Sequence, residues 1–397
     1  MRKLVVALPL LVLACSRERG SQAFGPPSPP PVDVRANAEW ASRRNRIQRE
    51  AFPEIEIAVD DVMRKFNFPS MVAGLLVDGQ LVWWRGYGRR DLEDGGAVDV
   101  HTVYRIASVT KTITAMALLM LRDEGKINLD TPAEQYVPEL ARVPQPTEDG
   151  GPITIRQLIT HTSGLPRVGN FDYSNPREIG VTRRELLAAV EGIRLRAAPG
   201  TKHEYSNLGY ALLGLIVEQV AGVPYHEFVN ERILTPLGMR SARWRHEEVP
   251  GQQLATAYAY RGGAYEKVHH WNMGEALAMG GLYASLDDMA RYLSFQMTVW
   301  PPGARPDKPP LRNASVRESH MLAGWQPAKN GTGIGWGVTA PMGWGPMVYH
   351  TGVTHAYVTD VLFVPERRYG VIVMSNCGRA SEVGKVGKAI HRIQRCY

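Results

Sequence analysis

At 397 residues, 44% of them hydrophobic, the chain is longer than one compact core usually accommodates and too apolar for a disordered protein. Lys and Arg number 46 against 39 Asp and Glu, a net charge of +7. With no zinc-finger spacing, RNP signature or long Lys/Arg run beside it, this mild basicity gives no support to nucleic-acid binding. Basic residues near the C-terminus such as Arg367, Arg368, Lys385 and Lys388 read as a solvated face.

In chain order, the first segment carries an export signature. Arg2 and Lys3 precede the apolar run Leu4 to Leu13, which has the layout of a secretory signal and is too short to remain in a bilayer as a spanning helix. The run ends in Val12-Leu13-Ala14-Cys15, a pattern resembling a bacterial lipobox, where Cys15 would be lipidated and become the first residue of the mature chain. An ordinary cleaved signal with an incidental cysteine is the alternative. Residues 1–15 are therefore expected to direct export to the periplasm or cell envelope, with membrane contact confined to a lipid anchor. Residues 16–44 hold Gly25-Pro26-Pro27-Ser28-Pro29-Pro30-Pro31, which favours extended polyproline conformations over packing and reads as a tether.

One folded domain is expected over residues 45–397. Asn45 to Phe66 has helical spacing, and Met71 to Val77 and Leu81 to Gly88 read as strands joined by the hairpin signal Asp78-Gly79. Helical periodicity dominates roughly residues 126–329, with a helix over Asn207 to Val220, closed by Gly222 and Pro224, and another over Leu286 to Met297. Val348-Tyr349-His350, Tyr357 to Val364 and Tyr369 to Ser375 are three further strands, and Glu382 to Arg395 a last helix. This order predicts an α/β (α+β) fold: one antiparallel sheet flanked by helices and built from both chain ends, with a mainly helical lobe inserted and the site between them. Cys377 and Cys396 are either a disulfide pair clamping the last helix or two free thiols; their separation in the sequence decides neither.

The chemistry centres on Ile106-Ala107-Ser108-Val109-Thr110-Lys111, followed by the apolar stretch Ile113 to Leu121. If a helix starts at Ser108, residues three apart share a face, and the hydroxyl meets the amine. A serine needs a base, so Lys111 must be neutral at some stage, which burial and a nearby cation would favour. The helix start would offer N–H groups to an oxyanion. Taken alone, S-x-x-K is a weak signal and reads more readily as a Ser N-cap followed by a solvated Lys. Two more segments change the balance. Tyr205-Ser206-Asn207 places a phenol and an amide at a helix start, where Tyr205 can relay a proton and Asn207 can donate to a substrate carbonyl, although Asn207 would also serve as a helix N-cap. His350-Thr351-Gly352 ends a strand, with Gly352 letting a substrate lie against the strand edge and the Val353 N–H available as a second oxyanion donor.

The order Ser108-x-x-Lys111, Tyr205-x-Asn207, His350-Thr351-Gly352 resembles the three motifs of the serine β-lactamase and penicillin-binding protein superfamily. The tyrosine form of the second motif is similar to that of the class C branch, which includes D-alanyl-D-alanine carboxypeptidases and esterases. Ile159-Thr160-His161-Thr162-Ser163-Gly164-Leu165, Pro236-Leu237-Gly238-Met239 and Gly280-Gly281-Leu282-Tyr283 resemble that branch as well. The resemblance implies a β-lactamase/transpeptidase-like fold with Ser108 as nucleophile and Lys111 and Tyr205 sharing acid/base work. It also implies substrate orientation by Asn207, His350 and Thr351 along the Gly352 edge, and an oxyanion hole from the Ser108 and Val353 N–H groups. One departure bears on substrate. Lys is usual in class C β-lactamases where His350 stands, and histidine is charged only part of the time near neutral pH. A D-alanyl peptide, amide or ester is therefore the expected substrate. A class C-like β-lactamase and an idle lipoprotein that binds cell-wall peptides are the alternatives.

No cofactor is expected. His269-His270 lacks the partners of a metal motif, and no metal site is predicted. A G-x-S-x-G elbow is absent, Gly378 to Lys385 has the wrong spacing for a phosphate loop, and the glycines between Gly331 and Gly337 do not open a dinucleotide-binding helix. His161 is expected to bond to backbone at a helix end.

Overall fold

In a computed structural model, the structure describes residues 47–169, 180–300, 310–323, 330–339 and 346–394, together with positions 42, 45 and 302. Cys15, the proline-rich tether and Cys396 lie outside the described residues; Cys377 is a buried thiol beside Ser375.

Both chain ends contribute to one antiparallel sheet. Its strands are β1 (Ser70–Val77), β2 (Gln80–Asp91), β3 (Gly95–Ala97), β4 (Asn330–Thr332), β5 (Gly337–Thr339), β6 (Val348–Val353), β7 (Val358–Val364) and β8 (Tyr369–Ser375). The spatial order is β3-β2-β1-β8-β7-β6-β5-β4, so the first strand of the chain pairs with the last, Met71 opposite Ser375 and Val77 opposite Tyr369. Asp78 and Gly79 both adopt positive φ, 52° and 77°, the backbone that a two-residue hairpin requires.

β1 reads as an unbroken apolar run because both of its faces are covered. Met71, Ala73, Leu75 and Val77, with Val371 and Val373 of β8, pack against Ile55 and Val59 of α1 (Phe52–Phe66) and against Val383, Val386 and Ile390 of a C-terminal helix over Ala380–Gln394. Val72 and Leu76, with Ile372 and Met374, face the opposite way into the larger core. That core includes α2 (Thr110–Asp123), α3 (Asn207–Ala221) and α4 (Leu286–Thr298), and the C-terminal helix is α5. Twelve consecutive residues of α2, Thr110 to Leu121, are buried, so this helix is a central post rather than a surface element. The middle of the chain also carries two small ladders, Val103–Arg105 against Tyr283–Ser285 and Tyr258–Arg261 against Ala264–Lys267.

Candidate active site

Ser108 lies two residues ahead of the α-helix, which the sequence suggested would begin at Ser108 itself. Ala107–Val109 form a 3-10 turn and the α-helix begins only at Thr110. Ala107 has a φ of 48°, a left-handed conformation that costs a non-glycine residue roughly 1–2 kcal/mol, and the turn is pinned by Ile106 N donating to Leu282 O at 2.9 Å. The half-buried Ser108 side chain faces the cleft while Lys111, one turn on, is fully buried. The two still meet, with Lys111 Nζ 3.1 Å from Ser108 Oγ.

Among the described residues, the partners of Lys111 are uncharged groups and its charged neighbour is the cation Arg167. The Lys111 amine donates to the Met279 carbonyl and lies 5.2 and 5.5 Å from the ring centres of Tyr205 and Tyr210. Burial first, and the charge of Arg167 second, hold its pKa well below the ordinary lysine value. The Met279 carbonyl is a partner that no side-chain pattern could announce. It is placed by the buried Arg105, which donates to Trp271 O at 2.6 Å and Gly280 O at 3.2 Å and lies 5.1 Å from the Tyr283 ring centre.

Tyr205 comes from the opposite wall. Burial raises its pKa, while a hydrogen bond with Ser108 and the charge of Arg167 oppose the rise, so the phenol keeps its proton at neutral pH. The loop carrying it is anchored at several points. Ser206 N donates to His161 Nδ1 at 3.0 Å, Ser206 Oγ donates to Pro166 O at 2.8 Å, and Glu204 N donates to His161 O at 2.7 Å. His161 is thus bonded to backbone, and its ring also lies 4.3 Å from that of Tyr205. The N-cap of α3 is Ser206, whose hydroxyl accepts from Gly209 N at 2.9 Å, so Asn207 is not the cap. Asn207 is buried, with its backbone N–H bound to Arg167 O at 2.8 Å.

β6 forms the facing edge. A side chain at Gly352 would place its Cβ 2.0 Å from Ile106 O and 3.1 Å from Ser108 N, so only glycine lets this strand lie against the nucleophile turn. Val353 follows at the strand end with a side chain 46% exposed to the cleft. His350 also lines the cleft; burial, then the nearby Lys111, lowers its pKa well below the usual histidine range. Thr351 borders the cleft too, but its hydroxyl donates to Asp360 Oδ1 on β7 at 2.9 Å, which directs that proton into the sheet.

Together these residues enclose a cleft of about 400 Å³, lined also by His203, Trp336 and Tyr349. Tyr349 and Trp336 were not singled out from the sequence; aromatic residues in strands and loops are ordinary core material, and only the fold brings these two to the border of the cleft. His269 and His270 lie in a separate pocket with His246, and no group of three or more His, Cys, Asp or Glu is placed to hold a metal among the described residues.

The likeness to known proteins is extensive. The beta-lactamase family model matches residues 56–393. Protein flp of Staphylococcus aureus (strain MW2) is 26% identical over 343 residues, covering 83% of this chain, which spans only 64% of that relative's length. The D-alanyl-D-alanine-carboxypeptidase/endopeptidase AmpH of Escherichia coli (strain K12) is 29% identical over 76% of this chain and 78% of its own. Among solved structures, the octameric penicillin-binding protein homologue from Pyrococcus abyssi superposes with a TM-score of 0.73 at 27% identity, over 86% of this chain and 77% of the other. A class C beta-lactamase gives 0.70 at 22% identity, over 86% and 95%, a likeness of fold alone. The chain belongs to the beta-lactamase family, the serine hydrolases built on the β-lactamase and penicillin-binding protein fold.

Proposed function

We propose that the protein forms an acyl-enzyme through Ser108 and hydrolyses a D-alanyl peptide, amide or ester. The observation that carries this reading is Ser108 flanked by two groups of complementary protonation: the Lys111 amine at 3.1 Å, biased toward its neutral form, and the Tyr205 phenol, hydrogen-bonded to the same hydroxyl and biased toward keeping its proton. In the reading, the Ser108 oxygen adds to the substrate carbonyl carbon as its proton passes to Lys111. The carbonyl oxygen becomes an oxyanion facing the Ser108 and Val353 N–H groups, and Tyr205 protonates the departing nitrogen or oxygen as the scissile bond breaks. The proton on Lys111 then passes to the Tyr205 phenolate, restoring both groups; water adds to the acyl carbon as the Lys111 amine takes one of its protons, and that proton moves to Ser108 Oγ as the acyl–oxygen bond breaks.

His350, standing where class C β-lactamases usually carry lysine, supports a peptidase or esterase ahead of a class C-like β-lactamase. Mass spectrometry after a fluorophosphonate or β-lactam tests the reading: an adduct on Ser108 is expected, and no adduct from any acylating probe would favour an idle peptide-binding protein. Faster turnover of nitrocefin than of short esters and D-Ala-D-Ala peptides would install the β-lactamase reading instead. The N-terminal sequence supports export as a lipoprotein of the cell envelope. Metabolic labelling with a fatty acid is expected to mark the wild-type chain and not Cys15→Ser.

A further inference from the structure

The walls of the cleft carry several groups able to hold a positive charge, and their surroundings disfavour that charge on all but one. His161, His203 and His350 are each driven below the usual histidine range, chiefly by burial. Lys111 lies beneath the surface and is likewise biased toward the uncharged amine. Among the described residues that line the cleft there is no carboxylate, and Arg167 is its one permanent cation.

Arg167 is also held in position. Its carbonyl accepts from Asn207 N at 2.8 Å and Leu208 N at 3.3 Å, which ties its backbone to the first turn of α3. Its guanidinium carbon lies 5.0 Å from the ring centre of Tyr205. The backbone is therefore anchored and the guanidinium lies beside the phenol, where its planar donors suit a two-oxygen acceptor better than a point charge does. We propose that Arg167 is the specificity-determining residue of the cleft, pairing with a carboxylate carried by the leaving portion of the substrate, the part that departs past Tyr205. The recognition charge then sits on the α3 wall, across the cleft from the strand edge of β6. The proposal rests on the acyl-enzyme reading given above and is tested separately from it.

Two measurements decide it. In a Ser108→Ala background, where nothing can turn over, calorimetric titration compares N-acetyl-D-alanyl-D-alanine with its C-terminal amide. The free acid is expected to bind about 10- to 100-fold more tightly, the range of a charge-assisted hydrogen bond. Adding Arg167→Gln should bring that ratio close to one, and Arg167→Lys should retain part of it. In the wild-type active protein, the ratio of kcat/KM for a 3-carboxyphenyl ester to that for the matching phenyl ester should fall in Arg167→Gln by a similar factor. Taking a ratio cancels the effect of the lost charge on Lys111, which bears on both substrates alike. Equal binding of acid and amide, or a preference that survives Arg167→Gln, overturns the proposal. Absence of any Ser108 adduct in the labelling experiment overturns the acyl-enzyme reading instead and leaves the binding comparison standing.

Discussion

An amine removed from water loses its hydration whether or not it then finds a partner, and Lys111 has found only a carbonyl, a hydroxyl and two aromatic rings. Its charged form is therefore disfavoured, the condition a base needs. Lys111→Met is expected to lower the acylation rate by about 10²- to 10⁴-fold, read as the rate of fluorophosphonate labelling of Ser108. In the wild type that rate should climb with pH until the folded-state pKa of Lys111 is passed, because only the neutral amine accepts the proton. Stability carries the same sign. The folded pKa lies below the unfolded one, so between the two the unfolded chain binds more protons and stability rises with pH. Replacing Lys111 with Met should therefore raise the melting temperature, and by more at pH 6 than at pH 10. An equal gain at both pH values would show that the amine is not desolvated.

At the scale of elements, the site depends on how closely β6 approaches the 3-10 turn. A Cβ at Gly352 would sit 2.0 Å from Ile106 O, and that atom belongs to backbone, which cannot swing aside as a side-chain end can. Gly352→Ala should force the strand and turn apart. A loss of about 1–3 kcal/mol in stability and a slower Ser108 acylation are the expected results, checked by denaturant unfolding and the same labelling assay. Unchanged labelling would mean that the oxyanion donors are not held by this contact. The position of the helix start belongs to the same scale. Ile106 to Lys111 reads as a helix beginning at Ser108, yet the left-handed backbone of Ala107 and its 3-10 turn place Ser108 ahead of the α-helix. Hydrophobic spacing says nothing about a single strained dihedral.

Across the whole molecule, one sheet separates two bodies of core. Ile55, Val59, Val386 and Ile390 lie on the face covered by α1 and α5, away from Ser108. Ile390→Ala should lower the unfolding free energy by about 2–5 kcal/mol, measured with denaturant, while Ser108 still labels at low temperature. Loss of labelling in a folded Ile390→Ala protein would show that the terminal helices help to shape the cleft. Pairing β1 with β8 makes this arrangement possible, since strands from the two ends of the chain must meet before either face has a surface to cover.

The alternating and continuous apolar runs were enough to place the strands at both ends, the hairpin at Asp78-Gly79 and the long helices, because local periodicity and turn chemistry are written residue by residue. The residue types at Ser108, Lys111 and Tyr205 likewise pointed to a hydroxyl, an amine and a phenol at one site, and the fold brings the three together. The tertiary structure alone decided the rest: the Met279 carbonyl that receives Lys111, Ser206 rather than Asn207 as the helix cap, the Thr351 hydroxyl bound to Asp360, and the surroundings that lower the His350 pKa. Desolvation and hydrogen-bond partnership depend on which distant segments pack against a group, and no pattern along the chain encodes that surrounding.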